Sequence, residues 1–472
     1  MMNATVTSPT PNASATPPVK SPWPAFWIAC SATFLVSLDT TMLFAAFDAL
    51  RQSFAGTSAA ELSWVLNGYT VVYAAMLIPA GGLADAYGRR RIFRLGLTLF
   101  LAASVACGAA PSVDWLIAAR VVQALGAALL TPASMSIVLA AFPTEKRAVA
   151  VSLWGAVGGL AAAVGPSLGS WVTASAGWPW AFYINLPVGL WALWRSGSHI
   201  EEAVKPAQRR SVDIVGLVLL MIAVGAIALA IVESGESRWP AEQIVFVGVG
   251  GLVAGACFVL WAQSRPHALI DLSLFDHRTY RYVNAATLMF GTAFSMMFLG
   301  FFFFMIGVWH YTLPQAGLAV TPGPLLVMPT AIVTGRLATR FGHRPFLVGG
   351  SLLYALSSLW FFGVPGNEPN YLLHWLPGLL MSGMAVGLVL PSLSAAAVSR
   401  LPVEHYAVGS AVNQATRQIG SVLGVALTVA LLGHATLQRS DFNALYLLHV
   451  ALALLTGLLC LPVDTKPRAA QS

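Results

Sequence analysis

The stretch that decides the fold is Gly81-Gly-Leu-Ala-Asp-Ala-Tyr-Gly-Arg-Arg-Arg91, a glycine-bounded turn between two long apolar stretches. A shift of the chain by 254 residues places two glycines, a leucine and an arginine on the same residue types: Gly81, Leu83, Gly88 and Arg90 on Gly335, Leu337, Gly342 and Arg344. The same shift places the first apolar stretch on the ninth, and the fifth on the thirteenth. Two related sets of six apolar stretches are typical of transporters whose substrate path lies between the repeats.

Apolar residues dominate the chain as a whole. Of the 472 residues, 57% are hydrophobic and 9% are charged, whereas a typical soluble domain has about 25% charged residues. Nearly all of the apolar stretches are long enough to cross a bilayer as a helix. We therefore expect an all-α membrane protein of fourteen transmembrane helices, at residues 26–48, 63–83, 92–110, 115–139, 149–174, 179–196, 214–232, 243–262, 283–307, 314–335, 345–363, 372–398, 409–433 and 443–462.

Positive charge is distributed unevenly between the two sides of the membrane. When the loops are assigned to alternating sides, twenty of the 25 Lys and Arg residues fall on one side. Only Arg51, Arg238 and Arg439 fall on the other, and Arg120 and Arg417 lie inside apolar stretches. Positive loops mark the cytoplasm, so we expect a multi-pass protein of the cell (inner) membrane with both termini cytoplasmic. The basic loops also fit contact with membrane lipid, and no nucleic-acid partner is expected.

The pattern predicts five segments. Residues 1–22 are rich in Ser, Thr, Pro and Ala, and we expect a disordered cytoplasmic tail there. Residues 23–198 form the N-terminal six-helix half, and residues 283–462 form the C-terminal six-helix half. Between them, residues 199–282 are a linker with two inserted helices, and residues 463–472 are a second cytoplasmic tail.

Cysteine usage and motif content argue against an enzyme. Cys30, Cys107, Cys257 and Cys460 each fall in a different apolar stretch, without the paired spacing of a metal site or a disulfide framework. The sequence also has no nucleophile and base constellation, phosphate-binding loop or soluble domain. We expect no catalytic residues, no metal and no cofactor.

Asp39 is the only acidic residue well inside a predicted span. A charged Asp near the centre of a membrane helix costs about 2.5 to 3.5 kcal/mol, so such a residue usually pairs, faces water or carries a proton. Arg120 lies inside the fourth span at a depth that differs from that of Asp39 by about 5 Å. Two interpretations stay open: a proton carrier whose ionisation is tuned by Arg120, or a structural ion pair.

Two segments are candidates for a conformational switch. Proline inside the fifth span removes one backbone hydrogen bond and so kinks or weakens the helix. The turn after the second span holds a carboxylate beside guanidinium groups, which can pair in one conformation and separate in another, or serve topology alone. The switch candidates are Asp85, Gly88, Arg89, Arg90, Gly165 and Pro166.

A pocket for bulky amphipathic compounds needs aromatic walls and a few polar anchors. Arg417 in the thirteenth span is expected to face a central cavity rather than lipid. His449 is expected to be a hydrogen-bonded core residue without a further role. For each cavity candidate, ordinary packing is the alternative interpretation; the candidates are Trp64, Tyr69, Tyr73, Gln123, Phe298, Asn413 and Arg417.

Several motifs together resemble the major facilitator superfamily, and specifically its fourteen-span drug:proton antiporter branch. The turn at 81–91 resembles the superfamily's cytoplasmic signature, with Ala86 where a basic residue is usual. Arg120-Val-Val-Gln-Ala-Leu-Gly126 and Gly165-Pro-Ser-Leu-Gly169 are similar to the motifs of its fourth and fifth spans, the latter typical of exporters. The segments 178–189 and 413–420 resemble parts typical of the fourteen-span branch.

The resemblance implies a proton-driven exporter in which Asp39 and Arg120 couple proton movement to the export of a hydrophobic or cationic small molecule. A periplasmic adaptor in a Gram-negative host is left open as a further partner. The alternative is a proton-coupled metabolite transporter, either exporter or importer, of the same architecture. After Asp39 the family usually continues with Asn and Pro, whereas this chain has Phe44 and Asp48.

Overall fold

The computed structural model describes residues 21–200, 213–236, 239–265, 268–401, 406–433 and 437–465, so most of the two expected tails lies outside the described residues. Within these ranges the chain forms α-helices and short 3₁₀ or π turns, without a β-strand. The helices are α1 (Trp23–Ser53), α2 (Ala59–Tyr87), α3 (Arg89–Gly108), α4 (Val113–Ala141), α5 (Thr144–Ala176), α6 (Trp180–Tyr183), α7 (Asn185–His199), α8 (Ile214–Glu236), α9 (Ala241–Gln263), α10 (Arg278–Gly307), α11 (Leu313–Val320), α12 (Pro322–Phe341), α13 (Arg344–Gly363), α14 (Leu376–Val398), α15 (Tyr406–Leu432) and α16 (Phe442–Cys460).

Each of the fourteen predicted stretches coincides with a helix or a pair of helices. Most helices run a few residues past the predicted span, because polar caps continue the helix beyond the apolar stretch. At the start of α2, the Ser58 hydroxyl accepts a hydrogen bond from the Glu61 backbone N–H (3.0 Å), and the Glu61 carboxylate accepts one from the Ser58 N–H (3.0 Å). This reciprocal pair satisfies two backbone donors that the helix leaves free.

Twelve candidate membrane spans meet the length and hydropathy expected of a spanning helix within the described residues. Neither α5 nor α7 is among them. Helix α7 has only 15 residues, about 22 Å at the rise of an α-helix, and several side chains in the first half of α5 lie outside the described part of the structure. The protein is therefore a multi-span membrane protein, and the number of fourteen spans stays a prediction.

The helices form two bundles with the same internal packing. In the first bundle, α1 to α7, helix α1 packs on α5, α2 on α4, and α3 on α4. In the second bundle, α10 to α16, the corresponding pairs are α10 with α15, α12 with α14, and α13 with α14. Helices that correspond in the sequence repeat therefore pack in the same pairs in the two bundles.

Two seams join the bundles. In the first seam, α2 packs along α15; in the second, α5 packs along α11 and α12. The two seams are equivalent, because α15 is the counterpart of α5 in the repeat, and α11 with α12 is the counterpart of α2. Only the first seam has an additional neighbour among the described helices, because α8 packs against both α2 and α15. The Trp64 ring of α2 lies 3.9 Å from the position that a Cβ on Gly225 of α8 would take. One of the two inserted helices therefore covers the α2–α15 seam.

The bundles touch at the membrane face that carries the turn between α1 and α2. Near the end of α1, the Phe44 ring packs on the Phe298 ring of α10, with centroids 5.7 Å apart. In the other seam the hydroxyls of Ser167 on α5 and Thr321 at the α11–α12 junction lie 2.5 Å apart. Both contacts belong to the half of the protein near this face, so the described bundles are closed to each other there.

Glycines allow the closest helix approaches within each bundle. A Cβ on Gly420 of α15 would lie 2.5 Å from the Leu288 carbonyl oxygen of α10, and one on Gly165 of α5 would lie 1.9 Å from the Thr41 hydroxyl of α1. Real Cβ contacts are not so short, so only glycine fits at these positions. Close backbone approach through small residues is how membrane helices gain packing energy without a hydrophobic driving force.

We predict that Gly420→Ala lowers the melting temperature of the detergent-solubilised protein, because the added methyl group must push α15 away from α10. Overpacking of this kind costs about 1–3 kcal/mol. The matched control is Gly335→Ala on α12, where no atom lies within 4 Å of the added Cβ. Equal melting temperatures for the two variants would contradict the packing account.

Candidate functional site

Asp39 lies in the middle of α1 and is 2% exposed. Its Oδ2 accepts a hydrogen bond from Arg120 Nη1 at 2.5 Å. Its Oδ1 accepts one from Gln123 Nε2 at 2.8 Å and another from Asn185 Nδ2 at 3.0 Å. Both carboxylate oxygens are therefore bonded to donors of the first bundle.

Arg120 on α4 is 1% exposed and uses its guanidinium in four ways. Besides the bond to Asp39, Nε donates to the Val65 carbonyl of α2 at 3.1 Å, and Nη1 donates to Gln123 Oε1 at 2.6 Å. Its Cζ lies 3.9 Å from the centre of the Tyr69 ring. The planar guanidinium suits this combination of forked hydrogen bonds and stacking on an aromatic face.

Two residues without a predicted role complete the network. Ser104 of α3 accepts hydrogen bonds from Gln123 Nε2 (2.9 Å) and from Asn185 Nδ2 (3.3 Å). Asn185 begins α7 and is fully buried. The sequence could have indicated a role for Asn185, because a polar amide inside an apolar stretch is unusual. Ser104 gave no such indication, because small residues are common in membrane helices. The hydrogen-bond network thus ties α1, α3, α4 and α7 together.

This arrangement can hold a charge in an environment of low dielectric. Removing two ions from water costs several kcal/mol each, and their attraction offsets that cost only when the remaining hydrogen-bonding capacity is also satisfied. At Asp39, amide donors of Gln123 and Asn185 supply that satisfaction. Loss of the carboxylate charge would leave the Arg120 guanidinium without its counter-charge.

A pair of tyrosines on α2 leads from this network to the other bundle. The rings of Tyr69 and Tyr73 are stacked, with centroids 5.8 Å apart. The Tyr73 hydroxyl bonds to the Thr131 hydroxyl of α4 at 2.9 Å. Arg417 of α15 lies close enough to Tyr73 for an electrostatic interaction. Tyr73 and Arg417 therefore interact across the α2–α15 seam, and Tyr69 connects Tyr73 with the Arg120 guanidinium.

The other predicted cavity residues are divided among several places. Gln123 belongs to the Asp39 network and is fully buried. Asn413 is 4% exposed, and its amide donates to Asn284 Oδ1 (3.1 Å) and Thr287 Oγ1 (2.9 Å) inside the second bundle. Phe298 packs between the bundles, and Trp64 faces α8. Among the described residues, no hydrogen bond or ring contact joins these four side chains to Arg417.

The turn at residues 81–91 is held by hydrogen bonds to other helices of the first bundle. Gly88 has a φ of 97°, a conformation that favours glycine. Arg89 Nη1 donates to the Ser136 carbonyl of α4 at 3.2 Å, and Arg90 Nη1 donates to the Gly197 carbonyl near the end of α7 at 3.3 Å. The side chain of Asp85 lies outside the described part of the structure. The described arginine contacts attach the turn to the ends of α4 and α7.

Pro166 lies inside α5, which stays helical from Thr144 to Ala176. A Cβ on the preceding Gly165 would lie 2.9 Å from the Thr41 Cβ of α1. A Cβ on Gly317 of α11 would lie 2.7 Å from the Pro166 carbonyl oxygen. The predicted switch pair therefore lies where α5 touches both α1 and the second bundle.

Comparisons with known proteins agree with this architecture. The family model described as "Major Facilitator Superfamily" matches residues 29–425 and 283–472. The chain is 32% identical over 395 residues to the multidrug resistance protein Stp of Mycobacterium tuberculosis (strain CDC 1551 / Oshkosh), covering 84% of this chain and 73% of that protein. It is 29% identical over 427 residues to the methylenomycin A resistance protein of Streptomyces coelicolor (strain ATCC BAA-471 / A3(2) / M145), covering 90% and 88%.

A solved structure supports the fold independently. The crystal structure of a D-xylose-proton symporter superposes with a TM-score of 0.68 at 13% identity, covering 95% of this chain and 98% of that one. At this identity the likeness concerns the fold alone. The family model extends over most of the chain, and the helix packing repeats as the sequence does. The chain therefore belongs to the Major Facilitator Superfamily, a family of membrane transporters rather than enzymes.

Proposed function

We propose that this transporter is a proton-driven exporter of hydrophobic small molecules, in the fourteen-span drug:proton antiporter branch. The observation that carries the proposal is the buried Asp39 carboxylate, held by Arg120, Gln123 and Asn185. Relatives named for multidrug and methylenomycin A resistance support an export direction. The distribution of Lys and Arg supports a cell (inner) membrane location with cytoplasmic termini.

Protonation of Asp39 is the chemical step of the proposed cycle. A proton on this carboxylate cancels its charge and leaves Arg120 as an uncompensated buried cation, and breaking a buried pair in this way costs about 3–5 kcal/mol. The protonated site therefore favours another arrangement of α1 and α4, in which the guanidinium finds new partners. One proton crossing the membrane supplies about 2.3 kcal/mol per 100 mV, enough to shift such an equilibrium severalfold.

The described contacts fit the state that is open toward the cytoplasm. The bundles meet at the face with the α1–α2 turn, for example at Phe44 and Phe298, and the distribution of Lys and Arg supports an outer location for this face. At the opposite face, Arg89 bonds to a carbonyl of its own bundle. In this proposal the bundles rock about the Asp39 network, and the bonds of the 81–91 turn exchange during that motion.

We predict that Asp39→Asn inserts into the membrane but stops efflux driven by a pH gradient in inverted vesicles, because Asn cannot exchange a proton. Asp48→Asn is the matched control, since Asp48 lies on the same helix, near its end, beside Arg51 and Gln52. Gradient-driven efflux at the normal rate in the Asp39 variant would refute the proposal. If that variant is unstable, the double variant Asp39→Asn with Arg120→Gln removes both buried charges and provides the comparison.

We predict that Arg120→Lys slows gradient-driven transport at least about tenfold although it keeps the positive charge, since an ammonium lacks the planar fork. Lys cannot bond Asp39, Gln123 and the Val65 carbonyl while lying on the Tyr69 ring. The control is Arg51→Lys, at the exposed end of α1. Transport within twofold of normal in Arg120→Lys would show that charge alone is sufficient.

The substrate panel that tests the proposal consists of hydrophobic compounds that are neutral, cationic or acidic, assayed in inverted vesicles with and without an uncoupler. We expect uncoupler-sensitive accumulation of at least one compound. Uptake of a sugar or amino acid in place of any hydrophobic compound would support the alternative, a proton-coupled metabolite transporter.

A further inference from the structure

Among the side chains that the structure describes, Arg417 differs from Arg120 in having no acidic partner. Its Nε donates to Gln414 Oε1 at 3.2 Å. Among the described residues, its terminal nitrogens Nη1 and Nη2 have no hydrogen-bond partner, and neither is a buried atom. The half-buried guanidinium therefore keeps two donor groups without a partner in the described part of the structure.

The backbone around Arg417 aims this side chain at the seam between the bundles. The other side of α15 abuts α10, because a Cβ on Gly291 would lie 2.6 Å from the Arg417 carbonyl oxygen. The side chain approaches Tyr73 of α2, in the opposite bundle. Helix α8 packs on both α2 and α15 and so separates this seam from lipid on one side. The geometry gives a cationic group at an interface that opens and closes during alternating access.

The protein supplies no described carboxylate to balance this charge. A guanidinium at such depth costs about 2.5 to 3.5 kcal/mol and usually has a partner. Both oxygens of Asp39 are already bonded to Arg120, Gln123 and Asn185. Glu233 lies near the far end of α8, about 29 Å along the helix from Ile214, whereas Arg417 is about 16 Å along α15 from Tyr406 at the same face.

From this we infer that Arg417 binds the acidic group of the exported compound, so that the substrates are amphipathic organic acids. Carboxylate and phenolate groups match the two terminal nitrogens of an arginine, which can donate in parallel. This inference rests on the proposed export function and narrows its substrate class. It also revises the expectation of a cationic substrate, which depended on Asp39 being available to a ligand.

The inference explains how the substrate can affect the proton site. Tyr73, which interacts electrostatically with Arg417, is stacked on Tyr69, and the Tyr69 ring lies against the Arg120 guanidinium. An acid bound at Arg417 adds a negative charge near the end of this aromatic pair. The charge state of the substrate site and that of the Asp39 network are then linked through the electrostatic interaction of Arg417 with Tyr73, the Tyr73–Tyr69 stack and the contact of Tyr69 with Arg120.

The test compares three compounds that differ only in their head group: pyrene carrying a butanoate, a butanamide or a butyl-trimethylammonium chain. Binding to the purified full-length protein is measured by pyrene fluorescence, and transport is measured in proteoliposomes with a pH gradient. We expect the butanoate to bind at least about tenfold more tightly than the amide, a difference typical of charge-assisted pairing. Arg417→Gln should reduce this preference to less than about twofold, and Arg417→Lys should keep part of it.

The matched control is Arg336→Gln on α12, an exposed arginine that should leave the preference for the acid unchanged. A stronger affinity for the trimethylammonium compound, no preference in the wild type, or full preference in a folded Arg417→Gln protein would overturn the inference. If Arg417→Gln does not fold, the inference is tested by the preference of the wild type for the butanoate over the amide and by the expected reduction of that preference in Arg417→Lys. The failure of all three compounds to respond to the pH gradient would instead contradict the export function.

Discussion

The buried ion pair between Asp39 and Arg120 is the interaction on which the rest of the account depends. Neither side chain is exposed to an extent that water could solvate it, so each charge depends on the other and on the amides of Gln123 and Asn185. The same hydrogen bonds tie four helices of the first bundle. A change in the charge of one carboxylate therefore acts on the packing of that bundle, which is what a proton-driven transporter requires.

The second bundle keeps the polar bridge of the first but lacks its carboxylate. The 254-residue shift that relates the repeats places Ala293 at the position of Asp39 and Ser358 at that of Ser104. His449 of α16 bonds to both, through Nε2 to the Ala293 carbonyl (2.9 Å) and through Nδ1 to the Ser358 hydroxyl. The repeat thus preserves a three-helix junction, and only the first bundle has an acidic side chain at this position.

Sequence reasoning predicted the helices well because apolar length alone decides where a chain crosses a membrane. It also placed Asp39 and Arg120 at one depth, and the structure confirms that they are in contact. It did not indicate how each helix is rotated about its axis, so the hydrogen-bond networks that hold Gln123 and Asn413 could not be predicted. The contribution of Ser104 depends on neighbours from distant helices, which no local pattern encodes.

The central claim is that Asp39 changes its protonation state during transport. Infrared difference spectroscopy of the protein in lipid measures this directly, through the C=O stretch that a carboxylic acid has and a carboxylate lacks. The account predicts that acidification on the outer side produces such a band in the wild type, and that Asp39→Asn removes it. A wild-type spectrum without this band at any pH that supports transport would contradict the account.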